Sequence, residues 1–530
     1  MSEQDLQLAA TVVATAERIV AAAVAELAKA GDIDSNQVLA YDLAHVAAGV
    51  TAARAVLAYA AKGEVEEALS LAFVADTARD LAARAFGREA DFGIGQAELE
   101  EMRAFVARYN SAAFVASLAG AVGSSGLSEE MEMVRDTFRR FADEVVRPRA
   151  DEIHRHNLDV PEEIIGGLSE LGGFGLSIPE SYGGFASDDD KDYTAMVIAT
   201  EELSRASLAA AGSLITRPEI LARALLKGGT EEQKQEWLPK MASGEVMVAV
   251  AVTEPDYGSD VAGLTTSATK VEGGWRLNGV KTWCTFAARA QVLMVLARTD
   301  PDRSKAHRGL SLFVIPKPIT DGTGFILEQG EREGISGRME GRPIETIGYR
   351  GMHSYEISID NWFVPDSGLM GGEAGLGRGF YLQMEGFENG RIQTAARALG
   401  VMQAAYEAAI SYAENRKVFG RPIADYQLTA YKLGRMAYTI QAARQFSYHV
   451  ADLMAAGQGA LEASMVKAYV CRAAEWVTRE ALQIHGGMGY AEEFPVSRYF
   501  VDARVLSIFE GADETLSLKV IARRLLDNAK

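Results

Sequence analysis

The chain is expected to be mainly α-helical with one central β domain. Three observations carry this: apolar residues at helical spacing fill both ends, short β-type runs cluster between about 246 and 366, and small-residue stretches separate the blocks. At 530 residues it is too long for one core, so two to four domains are expected. Residues 1–125 form an N-terminal helical extension, with Leu39, Leu43, Val46, Val50, Ala53 and Leu57 at helical spacing. Gly120-Ala-Val-Gly-Ser-Ser-Gly126 reads as a linker, and Ser128 as the N-cap of a helix beginning at Glu129. Residues 126–245 read as a helical domain. It is broken by Pro179-Glu-Ser-Tyr-Gly-Gly184 and by a solvated acidic run from Asp188 to Asp190.

Over residues 246–366 the period changes. Runs at 246–252, 275–279, 292–296 and 311–315 are separated by Gly, Asn and Asp turns with no long helix between them. That pattern predicts an antiparallel barrel or sandwich and not a doubly wound sheet. The helical period returns within 367–530. Gly375-Leu-Gly377-Arg-Gly379-Phe380 is similar to a dinucleotide fingerprint, but Phe380 stands at the third glycine and no βαβ unit surrounds it. It reads as a flexible start to a helix. Ala40-Tyr41-x-Leu43 and Ala52-Ala53-Arg54 recur at one offset as Ala430-Tyr431-x-Leu433 and Ala442-Ala443-Arg444, so the extension reads as a partial repeat of the C-terminal helices.

A net charge of -20 argues against a general nucleic-acid binder, which needs a basic surface. The seven histidines, His154 and His156 included, form no HxxxH or Cys/His cluster, so no metal is expected. Cys284 and Cys471 lie far apart, which fits a reducing, cytoplasmic location. The acidic opening lacks a basic n-region, and no apolar run approaches the ~20 residues that span a bilayer. No membrane insertion is expected.

The chemistry concentrates in four segments. Glu510, before Gly511 at the end of an apolar run, is placed as a single base against a ligand. Val252-Thr-Glu-Pro and Trp283-Cys-Thr285 end β-type runs, so the Thr253 and Thr285 hydroxyls can face one planar heterocycle while Trp283 packs on it. Glu414-Asn-Arg416-Lys-Val-Phe419-Gly offers a guanidinium for a pyrophosphate and an aromatic face for an adenine. In Gln483-Ile-His-Gly-Gly487 the glycines permit close backbone approach.

Taken in this order, the segments resemble the acyl-CoA dehydrogenase family over about residues 128 to 530. The resemblance implies a helical domain, a β-barrel domain and a C-terminal four-helix bundle, with FAD as cofactor. It places the flavin ring at Val252, Thr253, Ser259, Trp283 and Thr285, and the adenosine end at Ala512 and Glu514. Arg416, Phe419, Gln427, Gln483, Gly486 and Gly487 would reach the FAD of a neighbouring subunit, in a homodimer or homotetramer. Glu510 would take the α-proton of an acyl-CoA while the β-hydrogen passes as hydride to flavin N5, and burial would raise its basicity. Ser259, Glu388, Arg391 and Gly511 would contact the acyl-CoA, and an electron-transfer flavoprotein would take the electrons.

Cys284, Phe286 and Ala512 depart from the family's usual residues, and Gly390 stands where some members carry the base, which leaves Glu510. The extension and the Gly/Arg-rich residues 330–351, with Arg332, Arg338, Arg342 and Arg350, are unusual for straight-chain members. By resemblance the substrate would be (2S)-methylsuccinyl-CoA, giving mesaconyl-CoA in the ethylmalonyl-CoA pathway. Its free carboxylate calls for a cation, assigned to Arg217 with Thr216 beside it. Another short or branched acyl-CoA, an acyl-CoA oxidase and a non-catalytic acyl-CoA-binding scaffold are the alternatives.

Overall fold

The computed structural model describes residues 3–187, 193–320 and 324–529. The acidic run Asp188 to Asp190 and the side chain of Glu388 lie outside the described residues. The first helices are α1 (Glu3–Ala30), α2 (Gln37–Ala60), α3 (Glu64–Ala85), α4 (Gln96–Tyr109) and α5 (Ala112–Ser117). After them come α6 (Glu129–Phe141), α7 (Arg147–His156), α8 (Glu162–Glu170), α9 (Thr194–Ala206), α10 (Thr216–Gly228) and α11 (Glu231–Ala242). The strands are β1 (Val248–Ala251), β2 (Ser267–Val271), β3 (Gly274–Thr285), β4 (Val292–Arg298), β5 (Leu310–Pro316), β6 (Phe325–Arg332), β7 (Ile335–Ile344) and β8 (Ser354–Pro365). Then follow α12 (Gly379–Asn415), the two-residue strands β9 (Lys417–Val418) and β10 (Arg421–Pro422), α13 (Gln427–Ala455), α14 (Ala460–His485) and α15 (Pro495–Leu506). The cap at Ser128 forms as expected, its Oγ accepting from Met131 N at 3.3 Å.

The chain folds as two compact units. One comprises Met1–Thr137 with Thr394–Lys530, so the extension and most of the C-terminal helices share a core. Within it α2 packs on α1, α3, α13 and α14. Helices α2 and α13 begin at Gln37 and Gln427, at the spacing that separates Tyr41 from Tyr431. The Gly120 to Gly126 stretch is a strap and not a loose linker. Ser124 N donates to Glu66 Oε1 (2.6 Å), while Tyr59 OH (2.7 Å) and Gln441 Nε2 (3.0 Å) donate to Ser124 O.

Contrary to the expectation from unbroken apolar runs, residues 4–30 and 37–60 are long and apolar enough to cross a bilayer by length and composition. In α2 that apolar character is spent on packing, since 72% of its most apolar window is buried in the protein.

The second unit, Phe138–Gln393, holds the sheet, in the order β1-β4-β2-β3-β8-β7-β6 with β5 on β4. Most pairs are antiparallel as expected, but β1 runs parallel to β4 from Val248↔Val292 to Ala251↔Val295. The chain leaves β1, makes the β2–β3 hairpin and only then returns as β4, a crossover long enough for parallel pairing. All seven residues of β4 are buried, as a strand covered on both faces requires.

The Arg-rich residues 330–351 form the rest of the β6–β7 hairpin and the loop after it. Arg338 pairs with Glu328 and Glu340, Arg342 pairs with Glu340, and Arg332 lies 4.0 Å from the ring centre of Phe363. Gly377 (φ 71°) donates its N–H to Ser311 Oγ, and a Cβ on Gly379 would strike the backbone of Ser311 and Leu312. Close approach of a helix start to β5 explains these glycines.

Candidate active site

In the sheet unit, two chain segments are stitched side by side. Thr282 N donates to Thr253 O at 2.8 Å, and the ammonium of Lys281 donates to Val252 O (3.0 Å) and Glu254 Oε1 (2.9 Å). Lys281 is fully buried and Glu254 nearly so. Glu254 also accepts from Thr265 N, Thr265 Oγ1 and Thr266 N at 2.6–2.8 Å. Burial alone pushes this carboxyl up, but the Lys281 charge and then the Thr265 and Thr266 donors outweigh it and hold it at about 2.

On this base β3 breaks register with β8 between Lys281 and Cys284. Such a bulge re-aims a side chain. Trp283 takes a left-handed backbone (φ 58°) and is 55% exposed. Thr285 is buried, its Oγ1 3.0 Å from Ser354 Oγ, while Val252 is buried, Thr253 half-buried and Ser259 exposed. Val252, Thr253, Trp283 and Thr285 thus come together in one place. A rigid, outward indole beside a threonine suits a flat heterocycle, so the residues fit a flavin ring. Cys284 is inert packing, its thiol pushed up to about 12 by burial.

In the same unit Thr216 and Arg217 start α10, both buried. Arg217 Nη2 donates to Tyr349 OH at 3.3 Å, and its charge is close enough to oppose the burial shift of Cys284. Among the described residues, Thr216 Oγ1 is buried without a hydrogen-bond partner. Arg391 is buried on α12, beside Gly390. Glu219, also on α10, is fully buried, which pushes its carboxyl up, and it accepts from Asn389 Nδ2 (3.3 Å) and Gln393 Nε2.

In the helical unit, β9 and β10 form a hairpin whose central residues, Phe419 (φ 50°) and Gly420 (φ 86°), are both left-handed. That turn favours Asn-Gly, so a phenylalanine there is unusual. Phe419 is 94% exposed, and the hairpin is braced without its ring: Tyr426 OH donates to Val418 O and Arg421 stacks on Tyr426 at 3.9 Å. Arg416, Gln427, Gln483, Gly486 and Gly487 are likewise exposed, and a Cβ on Gly487 would meet nothing in this chain within 4 Å.

Glu510 sits in the turn between α15 and a short helical turn, Asp513–Thr515. It is left-handed at φ 55° and followed by Gly511 at φ 103°. Lys467 Nζ clamps the turn by donating to Gly511 O (2.6 Å), and Asp513 N donates to Ser507 O. The side chain of Glu510 is 5% exposed. Arg397 Nη2 donates to its Oε1 (2.7 Å) and Thr394 Oγ1 to its Oε2 (2.6 Å), both from α12. A guanidinium and a hydroxyl thus hold both carboxylate oxygens of Glu510.

Asp513, three residues on, accepts from Tyr41 OH (2.5 Å) and from His45 Nε2 (3.1 Å) of the extension. Ala512 and Glu514 border a cavity of about 280 Å³ that Tyr41 and Arg472 also line.

Sequence reasoning missed Lys281, Glu254, Thr394 and Arg397. The one available signal was the charge of Arg397 inside the small apolar run Ala395-Ala396-Arg397-Ala398-Leu399.

Family models for the acyl-CoA dehydrogenase N-terminal, middle and C-terminal domains match residues 128–245, 249–362 and 377–526. The chain is 48% identical over 407 residues to (2S)-methylsuccinyl-CoA dehydrogenase of Cereibacter sphaeroides, covering 76% of this chain and 71% of that one. The structure of glutaryl-coenzyme A dehydrogenase in complex with glutaryl-CoA superposes with a TM-score of 0.68 at 31% identity, covering 76% and 96% of the two chains. A structure from work on the electron transferring flavoprotein of Acidaminococcus fermentans superposes equally well, at 30% identity over 76% and 100%. The chain therefore belongs to the acyl-CoA dehydrogenase family and is an FAD-dependent oxidoreductase.

Proposed function

We propose that this enzyme oxidises (2S)-methylsuccinyl-CoA to mesaconyl-CoA, a step of the ethylmalonyl-CoA pathway, in the cytoplasm. Glu510 is the base that takes the α-proton, and the β-hydrogen leaves with its electron pair. FAD, when bound, supplies the two-electron acceptor, and an electron-transfer flavoprotein collects the electrons afterwards. Val252, Thr253, Ser259, Trp283 and Thr285 hold the flavin ring. Ala512 and Glu514 lie at its adenosine end. Arg416, Phe419, Gln427, Gln483, Gly486 and Gly487 serve the cofactor of a second subunit in a homo-oligomer, which their outward exposure supports. Ser259, Glu388, Arg391 and Gly511 bind the CoA thioester.

The observation that carries the substrate is the Thr216–Arg217 pair: a buried guanidinium next to a buried hydroxyl whose oxygen is unpartnered among the described residues. A terminal carboxylate supplies acceptors for both. The 48% identical relative named for methylsuccinyl-CoA and the glutaryl-CoA complex, whose acyl group also ends in a carboxylate, support the same reading.

The test is a panel of acyl-CoAs mixed anaerobically with the purified yellow protein while flavin absorbance is followed. Methylsuccinyl-CoA should bleach the flavin fastest, and Arg217→Met should weaken its apparent affinity about 10-fold or more while leaving butyryl-CoA nearly unchanged. Bleaching by butyryl-CoA alone, or unchanged affinity in Arg217→Met, would sink the substrate assignment.

A further inference from the structure

Arg397 is the largest side chain among the fully buried residues of the described protein, and it is a charged one. Its Nη2 donates both to Glu510 Oε1 and to Thr394 Oγ1 (2.7 Å each), and Thr394 Oγ1 donates in turn to Glu510 Oε2. The guanidinium carbon also lies 4.6 Å from the ring centre of Phe509, next to the base in sequence. Thr394 and Arg397 stand three residues apart on α12 and so share one face of it. Their neighbours Ala395, Ala396, Ala398 and Leu399 are all buried and aliphatic, so packing of α12 gives no reason for a charge here. A buried guanidinium is costly to keep unless a partner compensates it.

We propose that Arg397 and Thr394 are positioning residues for proton abstraction, fixing the plane of the Glu510 carboxylate and keeping it ionised until substrate arrives. This rests on Glu510 being the base. A carboxylate has about four acceptor sites, so accepting from a guanidinium and a hydroxyl does not by itself use up its capacity to take a proton. The base can therefore be held and still accept a proton. Burial alone favours the neutral acid, which cannot take a second proton, whereas the adjacent guanidinium favours the anion. In the step itself the α-proton moves to a carboxylate oxygen of Glu510, and the electron pair of the broken C–H bond stays on the α-carbon. Arg397 keeps all its protons, and the pair passes from carboxylate–guanidinium to carboxylic acid–guanidinium. The same positive charge then favours return of the proton to solvent once product has left.

The experiment is stopped-flow flavin reduction of the holoenzyme by acyl-CoA across pH, in wild type, Thr394→Val, Arg397→Lys, Arg397→Gln and Glu510→Gln. The acid limb of the reduction rate should rise by about 1–3 pH units in Arg397→Gln, less in Thr394→Val, and stay near wild type in Arg397→Lys, which keeps the charge. A purely packing role would lower thermal stability without moving the limb. If Arg397→Gln does not fold, Thr394→Val alone decides. An unmoved limb in the variants that fold, with Glu510→Gln inactive, overturns this inference and leaves the base assignment standing. Flavin reduction at wild-type rate in Glu510→Gln overturns both.

Discussion

Replacing Lys281 by methionine should destabilise the sheet unit by about 3 kcal/mol at neutral pH. Breaking a buried ion pair from one side typically costs about 3–5 kcal/mol, because the remaining charge is left without its counter-ion. Here Glu254 keeps three donors, from Thr265 N, Thr265 Oγ1 and Thr266 N, which places the cost at the lower end. The carboxyl itself gives a similar size. Held at about 2 against an ordinary 4.5, it contributes about 3 kcal/mol by linkage, at roughly 1.4 kcal/mol per unit. For a unit of this size the change corresponds to a fall in Tm of about 6–12 °C in scanning calorimetry. Lys281 also anchors Val252 O, and Trp283 follows two residues later, so the variant should release FAD more readily as well. Glu254→Gln added to Lys281→Met removes the stranded charge and should recover most of the loss. A Tm within about 2 °C of wild type for Lys281→Met, or a double variant no better than the single, would refute the reasoning.

The same carboxyl sets an acid limit. Its folded pKa lies below its unfolded one, so its contribution is complete above about 4.5 and is lost as pH falls toward 2. Thermal scans should show Tm dropping through that window in wild type and dropping less in Glu254→Gln. At the hairpin, Phe419→Ala should leave the Tm of the apoprotein within about 1 °C, because the ring is exposed, yet weaken FAD retention about 10- to 100-fold, the value of one stacked base. Phe419→Gly should be more stable than Phe419→Ala by about 1 kcal/mol, since glycine adopts φ 50° without the strain that alanine meets there. Equal melting of the two, or full FAD retention in either, would count against this account.

Local patterns made the element types legible, while interactions between distant residues stayed hidden. The change of period at residue 246 and the cap at Ser128 are written in short stretches, so they could be read directly. The parallel pairing of β1 with β4 depends on strands about forty residues apart, and nothing in residues 248–251 distinguishes a parallel neighbour from an antiparallel one. Likewise Gly120 to Gly126 has the composition of a linker, and only the donors from Tyr59 and Gln441 make it a strap. At the site, Glu510 was visible as a carboxylate before a glycine. Its contacts with Thr394 and Arg397 span more than a hundred residues and needed the fold.

Three residues that the sequence assigned to separate tasks share one backbone property. Trp283, Phe419 and Glu510 all lie in the left-handed region, at φ 58°, 50° and 55°. For a side-chain-bearing residue that region costs about 1–2 kcal/mol, so each must be held there by its surroundings. The holds differ: a bulge in β3 above the Lys281–Glu254 pair, a two-residue hairpin braced by Tyr426, and a turn clamped by Lys467 on Gly511. In two of the cases the result is an aromatic ring pushed outward where its own fold makes little use of it, at Trp283 and Phe419. In the third the strain does the reverse and turns a carboxylate inward, onto Arg397 and Thr394. A left-handed residue that served only a turn would be better as glycine, asparagine or aspartate. Phe286, Glu333, Tyr349 and His353 share this backbone, so it is the direction given to each of the three side chains, and not the conformation alone, that sets them apart. Relaxing it by substitution should therefore gain stability at the expense of cofactor retention or of the base.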